Sequence, residues 1–276
     1  MNNIPCVLSI AGTDPSGGAG ISADIKAISA TGGYAASVIT ALVAQNTQGV
    51  QSILEIPPAF VSQQLESVFN DLTIAAVKIG MLHEKQIIDA VVDALIRFQP
   101  AIIVFDPVMV AKDGSILLDL KTISLLKKEL IPRVTLITPN LFEASHLLET
   151  EIKTTQQMEV AANTLGRHYQ VNVLIKGGHL EDTASADLLY SIHDNTCHWF
   201  TAKRIHTKNT HGTGCSLSAA IASYLAQNFS LLEAVGQAKQ YISHAIQSGS
   251  MQTIGKGNGP VDHFYFLENR TSRLKK

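Results

Sequence analysis

Charge of one sign is what this chain most conspicuously lacks. Its 21 lysines and arginines face 23 aspartates and glutamates, for a formal net charge of −2, with no basic stripe and no run of like charge. That excludes nucleic acid and anionic membrane surfaces as expected partners. Cysteine is scarce as well. Cys6, Cys197 and Cys215 are odd in number and far apart, which speaks against a disulfide framework and for reduced thiols. No apolar run reaches membrane length, and Met1-Asn2-Asn3 is not a charged leader start, so a cytoplasmic location is expected. Aromatics are few, at 6%, yet an apolar fraction of 46% is ample for a sizeable core. No internal repeat, linker or low-complexity segment is present, and 276 residues allow one large α/β domain or two small ones.

What the sequence does hold is organised around Asn209-Thr210-His211-Gly212-Thr213-Gly214-Cys215, which runs straight into Ser216–Ile221. From Leu217 the apolar residues fall at 217, 220, 221, 224 and 225, the spacing of a buried helix face. A glycine-containing turn that opens a helix leaves N–H groups unpaired along the positive end of the dipole. The turn is either an ordinary helix start or an anion site. Cys215 in the first turn, and the other stretches that should meet it, favour the anion.

The remaining chain alternates strand and helix. Strands are expected at Cys6–Ala11, Ser37–Ala44, Ala75–Ile79, Ala101–Phe105, Val134–Thr138 and Val171–Lys176, and a hairpin at Asp187–His193 and Cys197–Thr201. Helices are expected at Ile21–Thr31, Phe60–Phe69, Ile87–Ile96, beyond the cap Asp119, at Asn140–Leu148 and at Gln156–Tyr169, with two more around and after Cys215. Units of this length predict a mostly parallel sheet with helices on both faces. Every polar or glycine-rich stretch falls just past the C-terminal end of a strand, where open α/β sheets bind ligands.

Gly12-x-x-x-x-Gly17 looks like the start of a phosphate loop, but Gly18 stands where the lysine belongs, so the Walker reading fails. Gly18-Ala19-Gly20-Ile21-Ser22-Ala23 matches a dinucleotide pattern. Against a nicotinamide oxidoreductase, five residues separate the strand from the pattern, and Gln45 stands where a ribose-binding acid belongs. Phosphoryl transfer fits better, because it needs an anion cradle, a cation on the phosphates, a held metal and an aimed acceptor. Gly212-Thr213-Gly214 supplies the cradle. Lys176 ends a buried strand, a costly place for an ammonium unless an anion meets it. Asn140 and Glu143 share a helical face and could hold Mg2+ through water, although Glu143 also reads as a first-turn acid facing the dipole. Asp24 shares the buried face of Ile21 and Ile28. It is either a dipole partner or a pocket residue beside the glycine loop.

Taken together, Ala11–Gly20, Lys78-Ile79-Gly80-Met81-Leu82, Asp106-Pro107-Val108-Met109, Thr138-Pro139-Asn140, Lys176-Gly177-Gly178-His179 and Asn209–Cys215 resemble the hydroxymethylpyrimidine/phosphomethylpyrimidine kinases of thiamine biosynthesis, in the ribokinase-like superfamily. The likeness runs in order over nearly the whole chain. It implies a three-layer α/β/α sandwich spanning 1–276 as one kinase domain, and a homodimer. It implies ATP and Mg2+, with the phosphates over Thr210, Gly212, Thr213 and Gly214 beside Lys176 and Asn140, and with Glu143 at the metal. The pyrimidine is expected among Ala19, Asp24, Gln45, Met81 and Val108, and Cys215 replaces the aspartate base of most of the superfamily. Pyridoxal kinase is the alternative within it. Gln45 favours the pyrimidine, since an amide offers a donor and an acceptor to the ring nitrogen and amino group; otherwise it is a polar strand end facing water. A thiol at a helix N-terminus has its pKa lowered, with nearby phosphates pushing back, so modest base strength is expected of Cys215. A purely binding or scaffold role would leave Lys176, Cys215 and the cradle redundant. His83, His146, His193, His198, His206 and His244 show no metal-ligand spacing and read as surface or satisfied polar groups.

Overall fold

A computed structural model describes residues 4–109, 118–178 and 184–267. The parallel part of the sheet is built from β1 (Cys6–Ala11), β2 (Tyr34–Ile39), β5 (Ile74–Ile79), β6 (Ile103–Phe105), β7 (Leu136–Ile137) and β8 (Asn172–Lys176). The antiparallel β9 (Ala184–Ser191) and β10 (Thr196–Lys203) extend it. The order is β10-β9-β8-β7-β6-β5-β1-β2, eight strands. Side chains alternate between two cores, as the two-residue strand period requires. Leu8, Val77, Phe105 and Ile137 face one core; Val7, Ala76, Val104 and Leu136 face the other.

The first core is covered by α2 (Pro58–Asp71), α3 (Lys85–Phe98), α4 (Leu120–Leu125, prolonged by irregular turns to Arg133), α5 (Leu141–Leu148) and α6 (Thr155–Tyr169). The second is covered by α1 (Gly20–Ala30), α7 (Thr213–Ala226) and α8 (Leu231–Gly249). The expected three-layer α/β/α sandwich with a mostly parallel sheet is what forms. Local signals start several helices: Asp119 accepts from Thr122 N at 2.7 Å, and Thr154 with Gln157 and Ser230 with Glu233 form capping boxes.

One strand differs from expectation. Ser37–Ala44 does not run as a single strand. The chain leaves the sheet at Thr40, and β3 (Ala41–Asn46) pairs instead with β4 (Gly49–Glu55) in a separate two-stranded ribbon. Tertiary hydrogen bonds fix the break. Thr40 N donates to Ala11 O at 3.0 Å, Thr40 Oγ1 to Met81 O at 2.9 Å, and Thr13 N to Ala41 O at 3.0 Å.

Candidate active site

The C-terminal ends of the parallel strands open into a cavity of about 1820 Å³. Ala11 and Gly12 follow β1, Met81 follows β5, Asp106 and Val108 follow β6, Asn140 follows β7, and Lys176 closes β8. Val43 and Gln45 of β3, with Val50 and Ile53 of β4, form a wall over it. Gln45 therefore stands on the ribbon rather than at the end of a sheet strand. It follows a register shift at Ala44/Gln45, the kind of bulge that re-aims a side chain.

The turn from Thr210 to Cys215 borders the same cavity, and all of its residues line it. Gly212 is the N-cap of α7, at φ +74°, and no side chain caps the helix. Thr213 N donates to Thr210 O at 3.4 Å, and the first-turn N–H groups of Gly214 and Cys215 are left for a ligand. A Cβ at Gly214 would lie 3.3 Å from Lys176 Nζ and 3.6 Å from Asp106 Oδ2, which measures how closely cradle, ammonium and carboxylate converge.

Lys176 Nζ lies 2.6 Å from Asp106 Oδ1 and 3.9 Å from Glu143 Oε2. Burial works against its ammonium, but Asp106 and Glu143 outweigh burial and raise its pKa. Burial likewise pushes Asp106 up, yet Lys176 and Lys78 hold it below the ordinary carboxylate range, with Thr138 Oγ1 also donating to it at 3.1 Å. Glu143 forms a capping box with Asn140: its Oε2 accepts Asn140 N at 2.7 Å, and Glu143 N donates to Asn140 Oδ1 at 2.9 Å. Both side chains also line the cavity. Burial, with Asp106 nearby, pushes Glu143 up to about 7 against the pull of Lys176. Two carboxylates share one ammonium here.

Cys215 lines the cavity at the first turn of α7. Its thiol is not lowered as a helix start alone would predict. Burial pushes it up to about 11, with Asp24 and Asp106 adding to burial and Lys78 and the Gly20 N–H opposing it. The thiol is neutral at physiological pH, because desolvation outweighs the dipole.

Ala19, Gln45, Met81 and Val108 line the same cavity, as do Asn140, Glu143, Lys176, Thr210, Gly212, Thr213, Gly214 and Cys215. Asp24 does not. It is fully buried beneath the floor, where Lys78 Nζ donates to its Oδ2 at 2.8 Å and Oδ1 at 2.9 Å, and Ser9 Oγ to its Oδ2 at 2.6 Å. With both oxygens engaged by its own protein, Asp24 is neither a pocket residue nor a dipole partner; it is the counterion of Lys78. Asp106 and Lys78 were not among the expected site residues, although both lie in the quoted motifs. The available signal was a charge inside or immediately after an apolar strand, the feature that singled out Lys176. His179 lies outside the described residues. Glu55, His83 and Glu84, brought together by folding rather than by sequence spacing, hold their ligand atoms within 4.8 Å of one another on the rim of a separate small cavity.

The sequence model of the phosphomethylpyrimidine kinase family matches residues 14–262. The chain belongs to that family. It is 49% identical over 259 residues to the hydroxymethylpyrimidine/phosphomethylpyrimidine kinase of Escherichia coli strain K12, covering 94% of this chain and 97% of that one. Among solved structures, the phosphomethylpyrimidine kinase of Clostridium difficile 630 superposes with a TM-score of 0.78 at 39% identity, covering 88% of this chain and 99% of that one. Pyridoxal kinase from Staphylococcus aureus in complex with AMP-PCP and pyridoxal reaches 0.86 at 31% identity, covering 97% and 96%. This family member is a kinase, a phosphotransferase with the ribokinase-like fold. The pyrimidine kinase reading from the sequence is favoured over pyridoxal kinase and over a nicotinamide oxidoreductase. No helix among the described residues is long and apolar enough to cross a membrane.

Proposed function

We propose that residues 1–276 act as one kinase domain that moves the γ-phosphoryl group of ATP first to the hydroxymethyl oxygen of 4-amino-5-hydroxymethyl-2-methylpyrimidine and then to the monophosphate so formed. The observation that carries this reading is the convergence of Lys176, Asp106, Gly214 and Cys215 at one helix start, in the cavity that Gln45 also lines. The uncapped first turn of α7 receives phosphate oxygens, and Lys176 meets the charge that spreads over the transferred group. In each transfer the acceptor oxygen forms a bond to the γ-phosphorus as the bond to the bridging oxygen of ADP breaks. In the first transfer the alcohol's proton passes to an oxygen of the transferred phosphoryl group and from there to solvent. A loose transition state asks little of a base, so the neutral Cys215 thiol serves to orient the acceptor by hydrogen bonding. Gln45, with Ala19, Met81 and Val108, holds the ring; Asn140, Thr210 and Thr213 face the nucleotide.

The oxygen donors fit a hard divalent cation. Glu143, raised to about 7 chiefly by burial with Asp106 adding to it, would gain a counter-charge from a bound Mg2+. Bound Mg2+ neutralises phosphate charge; Glu143 and Asp106, with Asn140, are the residues that would hold it. The free thiols fit a reducing cytoplasm. The outer face of the β3–β4 ribbon fits a second copy of the chain, as a homodimer.

The test is product formation from ATP and Mg2+ with hydroxymethylpyrimidine, its monophosphate and pyridoxal, each offered alone. Pyrimidine monophosphate and diphosphate are expected. Phosphorylation of pyridoxal with no pyrimidine product would overturn the reading in favour of pyridoxal kinase.

A further inference from the structure

Two loops that this reading needs in register meet at a charged side-chain pair. Asp14 is fully buried, and its carboxylate accepts Ser16 N at 2.8 Å, Gly18 N at 3.1 Å and Ala19 N at 2.7 Å. It therefore shapes the glycine loop that leads to Ala19 and the start of α1. The same Oδ2 lies 2.8 Å from Nε2 of His211, in the turn just ahead of the cradle. Among the described residues His211 is the only side chain that pairs with Asp14 as an ion-pair partner. Burial pushes Asp14 up, but hydrogen bonds from His211 and Ser16 prevail and hold it at about 2, so the carboxylate is ionised throughout the working range.

Backbone geometry shows how little slack this junction has. A Cβ at Gly18 would lie 2.4 Å from His211 Cδ2, and one at Gly212 would lie 1.7 Å from Gly18 O. His211 N also donates to Gly259 O at 3.0 Å, so the residue is held through its backbone as well as its ring. The glycine loop carries a wall of the acceptor side, and the turn carries the phosphate side. Main-chain contact, the Gly20 N–H beside the Cys215 thiol and the buried Asp14–His211 pair join them here.

We infer that Asp14 and His211 form a positioning pair that sets the separation between the bound acceptor and the transferred phosphoryl group. Asp14 fixes the glycine loop, and His211 docks the Gly212–Gly214 turn on it. The inference rests on the placement of acceptor and phosphates proposed above. It predicts a loss in turnover rather than in binding, because each half-site keeps its own contacts while the reacting atoms drift apart. A displacement of ~1 Å is enough for about a hundredfold in rate.

The experiment is steady-state kinetics with ATP, Mg2+ and hydroxymethylpyrimidine on wild type, His211→Leu, His211→Gln, Asp14→Asn and the Asp14→Asn/His211→Leu double variant, with folding checked by thermal melts. Failure of the wild type to make product would count against the proposed function, not against the pair. His211→Leu is expected to lower kcat by about tenfold to a hundredfold, with both KM values within about threefold. His211→Gln, which keeps a donor for Asp14, should recover most of that loss, and the double variant should be no worse than His211→Leu. A folded His211→Leu enzyme with wild-type kcat would overturn the inference. So would losses that multiply in the double variant, or a loss confined to the KM for ATP, which would make His211 a phosphate contact. Should Asp14→Asn fail to fold, the comparison of His211→Leu with His211→Gln decides alone.

Discussion

Cys215 stands in a site where its ionisation is opposed from several directions, and that has a consequence for which acceptors the site tolerates. Burial, Asp24 and Asp106 all push the thiol up, to about 11. An aspartate there would add a third carboxylate to the neighbourhood and face a phosphorylated acceptor with like charge. At ~4 Å and an effective dielectric near 20, that repulsion is about 4 kcal/mol per charge pair. Cys215→Asp is therefore expected to spare phosphorylation of the alcohol and to suppress phosphorylation of the monophosphate. Cys215→Ala should slow the first step more than the second; equal losses in both steps, measured separately, would refute this role. Lys176→Ala should cut kcat by roughly a hundredfold or more, as loss of a preorganised electrostatic group does. A lysine that mattered only for folding would instead lower the melting temperature and leave turnover per folded molecule intact. His263 gives a pH signature. It is 4% exposed and 2.8 Å from Ser216 Oγ, and burial, helped by Lys26, lowers it to about 4 from an ordinary value near 6.5. A base with a depressed folded-state pKa costs nothing above pH 6.5; stability is lost progressively as pH falls from 6.5 to 4, where the unfolded chain takes up a proton the folded one refuses, and the loss is complete below 4. The full effect is on the order of 3 kcal/mol. Denaturant melts of His263→Gln between pH 7 and 4 should lose less stability than wild type by about that amount; parallel curves would show the shift is absent. At this scale the sequence made Lys176, Gln45 and Cys215 visible, since each is a polar group at a strand or helix end. It could not separate Asp24 from a pocket residue, because its partner Lys78 lies 54 positions away and only folding pairs them.

The start of α7 and the ribbon β3–β4 are the two elements that carry the site. They differ in how much of them could be read beforehand. Gly212 at φ +74° was legible as a glycine turn opening a helix. Its demand is absolute, since a Cβ would sit 1.7 Å from a backbone carbonyl that no rotamer change can move. Gly212→Ala should cost about 2–4 kcal/mol and roughly 5–10 °C in Tm, with phosphoryl transfer lost even in the folded fraction. Gly236→Ala, inside α8 where the added carbon meets Phe200 at an ordinary 3.6 Å, should be neutral or mildly stabilising. Similar melting curves for the two variants would contradict this assignment of strain. The ribbon was not legible. Ser37–Ala44 is an unbroken β-forming run with no glycine or proline, so nothing local marks Thr40 as a break. The break is made by Ala11, Thr13 and Met81, all distant in sequence. β4 was missed because Gly49–Glu55 has mixed polarity without clean alternation, as befits a strand none of whose residues is fully buried.

At the scale of the whole molecule, strand–helix alternation was enough to predict two helical layers on a parallel sheet, and both cores are filled as that pattern requires. The ribbon is what the layered plan does not account for. Two strands alone are marginal in water, and this pair lies apart from the eight-stranded sheet. Its inner face is held by the cavity wall and by Thr13 Oγ1, which accepts Val43 N at 2.9 Å. On its outer face Leu42 lies directly across from Leu54, and they are 43% and 65% exposed. A cross-strand leucine pair left to water at these levels costs solvation that a twofold partner would recover, and the same patch on a second copy is self-complementary by symmetry. The homodimer proposed above therefore makes a specific claim. Leu42→Asp/Leu54→Glu should elute as a monomer of about 29.7 kDa by light scattering, where the wild type elutes at twice that mass. Because Gln45 lies on the same strand, a ribbon deprived of its partner should also hold the pyrimidine less well. The monomer is thus expected to show a higher KM for pyrimidine with the KM for ATP little changed. A wild type that elutes as a monomer, or a double variant that stays dimeric with unchanged pyrimidine KM, would rule out this face as the dimer contact.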